Sequence, residues 1–90
     1  MNCVIIKKLS DNEIAEKEIK SWPIWTKEIS TFDWYYDCDE ECLILEGEFA
    51  IHADEGDYNI KPGDFVTFKK GLKCVWEVKK PIRKHYKFFD

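Results

Sequence analysis

Apolar and polar residues alternate with a period of two through much of this chain. Phe32, Trp34 and Tyr36 share one face, with Asp33, Tyr35 and Asp37 opposite. This spacing predicts a strand with one side turned inward. Cys74, Trp76 and Val78 repeat the pattern against Lys73, Val75 and Glu77. A last strand, opened by Pro81, sets Ile82, Lys84, Tyr86 and Phe88 against Arg83, His85 and Lys87. Shorter apolar runs at Cys3 to Lys7, Cys42 to Leu45, Phe49 to Ala53, Tyr58 to Ile60 and Phe65 to Phe68 read as further strands.

Turns are expected at Asp37 to Glu40, Asp54 to Asp57, Pro62 to Asp64 and Lys69 to Gly71, with a sharp bend at Gly47. The period differs only near the start. Ser10 followed by Glu13 is a capping-box pattern. It predicts a short helix over Asp11 to Glu18, anchored by Ile14 and Ile19 and ended before Pro23. Many short strands separated by Gly and Pro turns imply a β-sandwich or barrel.

Ninety residues are enough for one domain, here 1–90, but a core this small must be efficient. Four Trp, four Tyr and six Phe supply the bulk. That is more than a solidly packed core of this size needs, so some are expected to line a cavity. The net charge is −4 and basic residues are scattered, so no nucleic acid partner is expected. No apolar run is long enough to span a membrane or to form a secretory leader, which predicts a cytoplasmic protein with Cys3, Cys38, Cys42 and Cys74 as thiols.

Two stretches, Glu40 to Glu48 and Pro62 to Gly71, resemble the two motifs of the cupins, with motif 1 at about 34–48 and motif 2 at about 62–78. Trp22-Pro23-Ile24-Trp25, Phe32 to Asp37 and Arg83 to Tyr86 narrow the likeness to the small cupins grouped with ureidoglycine aminohydrolase-like members (DUF861). The resemblance implies an all-β, single-domain jelly-roll barrel with a short N-terminal helix or turn. It also implies a pocket that in relatives holds a metal through histidines and a glutamate. Counted on that pattern, Glu40 keeps the glutamate, while Trp34, Tyr36 and Cys74 stand where the histidines would be. Tryptophan cannot ligate a metal, and two remaining donors are too few. No metal cofactor is therefore expected, and a site rebuilt from Glu40, Cys74 and a histidine is disfavoured.

Each candidate has a plainer reading beside its functional one. Trp34, Tyr36 and Trp76 are ligand-binding walls or simply core. Glu40 is a general base or a solvated turn residue. Cys74 is a nucleophile or an apolar filler. Lys84, out of place on an inward face, pairs with Glu40 or with an anion, or else snorkels at the rim. His85 is expected to face outward, and the side of His52 is open. A zinc cluster of Cys38, Cys42 and Cys74, or calcium at Asp54 to Asp57, is the weaker reading.

The function expected first is metal-free binding of an unknown small molecule. The alternative is an enzyme, a hydrolase or isomerase using Glu40, Cys74 and Lys84 on a small nitrogen-containing or sugar-like compound. The third is a structural or regulatory dimer formed through exposed Trp22, Trp25 and Tyr35. A homodimer is compatible with all three, because exposed sheet edges invite pairing.

Overall fold

The computed structural model describes residues 3–89. Among them, seven antiparallel strands are joined into one sheet system: β1 (Val4–Lys8), β2 (Ile24–Lys27), β3 (Ser30–Tyr35), β4 (Asp39–Ala53), β5 (Gly56–Ile60), β6 (Asp64–Phe68) and β7 (Lys73–Phe89). One helix, α1 (Asp11–Glu16), precedes a 3₁₀ turn at Ile19–Ser21.

The two longest strands, β4 and β7, pair along most of their length and organise the rest. The first half of β4 also pairs with β6, and the last half of β7 with β2. The second half of β4 pairs with β5, and the first half of β7 with β3. The long ribbon thus belongs to two sheets, β1-β6-β4-β7-β2 and β5-β4-β7-β3. Their inward residues meet in one core, where Phe49, Ile51, Trp76 and Val78 of one half join Cys42, Ile44, Val66 and Ile82 of the other.

Gly47 and Pro81, expected to divide strands, instead mark where one continuous ribbon bends. The pairing shifts register between Ile44 and Phe49. Gly47 has φ +97, and a Cβ there would lie 2.2 Å from the Pro81 carbonyl oxygen. Only glycine permits that approach. Pro81 is tolerated in mid-strand because the ladder is already interrupted at this irregularity. The register runs unbroken on either side of the bend, so the ribbon can belong to both sheets.

The helix forms where expected and ends sooner. Ser10 accepts from the Glu13 N–H and Glu13 returns to the Ser10 N–H, completing the capping box. Glu18 takes the left-handed conformation at φ 56, which stops the helix two residues early. Ile19 and Trp22 then seal the outer side of the sheet over Leu43 and Phe65, with Ile14 packed against them.

Two other expectations are corrected, one strand is added, and one turn residue gains a structural role. The polar turn stops at Cys38, so Glu40 lies inside β4 and is buried. Trp22 is buried and Trp25 half-buried, so neither offers the exposed aromatic face that a dimer through Trp22, Trp25 and Tyr35 would use; only Tyr35 is exposed. Strand β2 had no sequence prediction, because Ile24-Trp25-Thr26-Lys27 turns only Trp25 inward and shows no apolar alternation. Asp64, in the Gly-Asp turn, is a structural residue. Its carboxylate accepts from the Lys61 N–H and pairs with Lys8 at 2.7 Å.

Candidate functional site

Inward positions on four strands converge on one cavity of about 240 Å³. On β7, Lys84, Tyr86 and Phe88 share a face because strand side chains repeat every second residue. Glu40 comes from β4 and Trp25 from β2. Phe32 and Trp34 of β3, Tyr36 just beyond its end, and Trp76 complete the lining.

The floor is an ion pair. Lys84 stands opposite Ile44 on β4 and Trp25 on β2, while Glu40 stands opposite Phe88. The lysine reaches diagonally along the ribbon, and its Nζ donates to Glu40 Oε2 at 2.9 Å. Both residues are almost fully buried, at 3% and 4% exposure. The Lys84 ammonium also lies 4.8 Å from the Trp25 ring centroid and 4.8 Å from that of Trp76. Two indoles and a carboxylate therefore cage a cation supplied by the chain itself. Among the described residues no buried side-chain oxygen or nitrogen lacks a partner, and Glu40 Oε1 takes no protein hydrogen bond. That oxygen therefore opens on the cavity.

Tyr36 is fixed by a second contact. Its ring stacks on Phe68 at 4.8 Å, and its hydroxyl oxygen accepts from Trp76 Nε1 at 3.2 Å. Burial, and then the Glu40 carboxylate, hold its phenol well above the ordinary tyrosine range, so it stays protonated. Trp76 is itself stacked on Phe49 at 4.3 Å and on Phe32 at 5.8 Å. Trp34 stands edge-on to Phe32 and Tyr36 at the mouth, 47% exposed.

Five of the six residues singled out in the sequence line this cavity: Glu40, Lys84, Trp34, Tyr36 and Trp76. Cys74 does not. It pairs in register with Trp34 but is buried beside the core. Burial pushes its thiol up to about 11 with no lysine to offset it, so the thiolate needed for nucleophilic attack does not form near neutral pH. Cys42 is pushed up to about 12 by burial, only partly offset by Lys84. No disulfide joins the four cysteines. Trp25, Phe32, Tyr86 and Phe88 were missing from the predicted walls. Three of them share inward faces already legible in the sequence, while Trp25 sits on the unpredicted β2.

The histidines lie elsewhere. His85 Nδ1 is 3.0 Å from the Trp22 carbonyl, on the side of the sheet away from the cavity. His52 is held between Asp57 and Glu77 at 2.8 Å each, also facing away from the core. The residues present do not fit the metal of histidine-bearing relatives. Trp34 has no ligating lone pair, Tyr36 keeps its proton, Cys74 is outside the cavity, and Glu40 is engaged by an ammonium. Among the described residues, no group of three or more His, Cys, Asp or Glu side chains could hold a metal ion. No helix among them is long and apolar enough to cross a membrane.

Comparison with known proteins places this geometry. The EutQ-like cupin domain family model matches residues 14–86. The chain is similar to a DUF861 family protein from Thermotoga maritima, at 49% identity and TM-score 0.93, covering 96% of this chain and 99% of that one. It also resembles the EutQ protein of Clostridium difficile, at 23% identity and TM-score 0.68, covering 96% of this chain and 67% of the other. A putative ethanolamine utilization protein Q from Salmonella typhimurium gives 21% identity and TM-score 0.67, with 98% and 70% covered. These likenesses bear out the expected cupin fold; at such low identity the last two speak to fold alone. Among curated proteins, none matches.

Proposed function

The chain belongs to the EutQ-like cupin family, and from that premise we propose that it binds a small organic molecule in the aromatic cavity without a metal. The observation that carries this reading is the cavity's construction: about 240 Å³ of apolar-walled space over a buried Glu40–Lys84 pair. A largely apolar pocket with a few convergent polar groups is the usual form of a small-molecule site. At the positions where the resemblance expects histidine ligands the chain carries Trp34, Tyr36 and Cys74, and the retained Glu40 is paired with Lys84. Glu40 Oε1, the Lys84 ammonium and the Tyr36 hydroxyl supply the polar contacts, and Trp25, Trp34 and Trp76 supply flat surfaces.

The test is a thermal-shift and NMR screen of nitrogenous metabolites and small carboxylic acids against protein purified without added metal, repeated after chelator treatment. Saturable binding that survives chelation is expected. Trp34→Ala should weaken it while leaving the fold intact, because Trp34 lies half-exposed at the mouth. Binding that disappears with chelation and returns with a divalent ion, or a cavity that accepts no compound, would overturn the reading.

A further inference from the structure

We infer that the ligand of this pocket is a neutral planar group carrying a carbonyl and an N–H on adjacent atoms, as in a lactam or a primary aryl amide. The inference rests on the binding reading above and deepens it. Its first support is charge. Glu40 and Lys84 cancel each other at 2.9 Å, both almost fully buried. An added anion would meet the Glu40 carboxylate and an added cation the Lys84 ammonium, and either would leave a net charge in a desolvated site. A buried charge without its own partner is costly, so the site disfavours ligands of either sign.

The cation position is moreover already filled. The aromatic cage that could hold an ammonium ligand is occupied by Lys84, 4.8 Å from both the Trp25 and the Trp76 rings.

The second support is the disposition of donors and acceptors. An ammonium has three donors, and Lys84 gives one to Glu40. Tyr36 accepts from Trp76, and among the described residues no protein group takes its own proton. Lys84, Tyr36 and Glu40 all line the cavity, so donors from the first two and an acceptor from the third belong to one site. A carbonyl oxygen satisfies the donors and an adjacent N–H satisfies the carboxylate. A ligand with only one of the two leaves a desolvated partner unpaired. The third support is shape, because the walls at Trp25, Trp34, Phe32 and Tyr86 are ring faces and edges that favour a flat guest.

The experiment titrates four single-ring probes into the full chain: 2-pyridone as the neutral lactam, benzoate, benzylammonium, and fluorobenzene as the apolar control. We expect 2-pyridone to bind at least about tenfold more tightly than each of the other three. Tyr36→Phe keeps the ring stacked on Phe68 and removes one donor to the ligand together with the acceptor of Trp76 Nε1, a loss common to every probe. It should weaken 2-pyridone by about five- to tenfold and leave fluorobenzene unchanged. Benzoate or benzylammonium binding as well as 2-pyridone, or fluorobenzene matching it, overturns the ligand class while leaving the pocket in place. Failure of all four probes overturns the class and the pocket together. A Tyr36→Phe variant that unfolds is replaced by wild-type competition between 2-pyridone and N-methyl-2-pyridone. Equal affinities there would overturn the role given to the N–H.

Discussion

At the scale of single residues, Glu40 and Lys84 set the character of the pocket. Removing one member of a buried ion pair strands the other, at a cost of about 3–5 kcal/mol, whereas replacing both by apolar or neutral isosteres is far milder. Lys84→Met alone should therefore destabilise strongly, and the Glu40→Gln, Lys84→Met double variant should recover most of the loss. Chemical denaturation of Glu40→Gln, Lys84→Met and the double variant checks this; additive losses would show that the pair does not act as a unit. The thiols give a second residue-level outcome. With Cys42 and Cys74 pushed up to about 12 and about 11 by burial, iodoacetamide at mildly alkaline pH should leave both unmodified in the native protein, as read by peptide mass mapping.

His52 supplies the pH dependence. Hydrogen bonds to Glu77 and then Asp57 raise its pKa above the ordinary value. Both ring nitrogens face carboxylates, so the doubly protonated ring is favoured in the folded state. A raised folded value means the stabilisation is fully present below about pH 6.5, the unfolded value, and is lost as pH rises through the folded one. The stability difference between wild type and His52→Gln should accordingly be larger at about pH 5.5 than at about pH 9. The ring is exposed enough that solvent screens much of the effect.

At the scale of elements, the bend in the β4–β7 ribbon joins the two sheets into one barrel. Gly47→Ala would force a Cβ against the Pro81 carbonyl and a side chain into φ +97. A loss of about 3 kcal/mol or more is expected by urea unfolding. Ser10→Ala, which removes the cap of α1, should cost only about 1 kcal/mol.

The same elements show what the chain discloses before folding. Alternation in Phe32 to Tyr36, Cys74 to Val78 and Ile82 to Phe88 placed the inward faces correctly, because strand periodicity is a local property. The misplacements are non-local. Gly47 and Pro81 look like strand ends until each is seen to accommodate the other. Glu40 looks like part of an acidic turn until Lys84, 44 positions away, is brought to it. Strand β2 carries too little buried surface to leave a pattern of its own.

At the scale of the whole molecule, two sheets share one ribbon, a small helix covers one outer side, and the interior is left open at one end over a charge-balanced floor. The four tryptophans report on this arrangement separately. Trp25, Trp34 and Trp76 line the cavity, while Trp22 belongs to the cluster with Ile19, Leu43 and Phe65. The most direct measurement is therefore the indole N–H region of a ¹H–¹⁵N spectrum of chelator-treated protein, titrated with 2-pyridone. Saturable shifts at Trp25 and Trp76, with Trp22 unmoved, are the predicted result. Shifts that require an added divalent metal, or that spread equally to Trp22, would contradict a metal-free ligand site in this barrel.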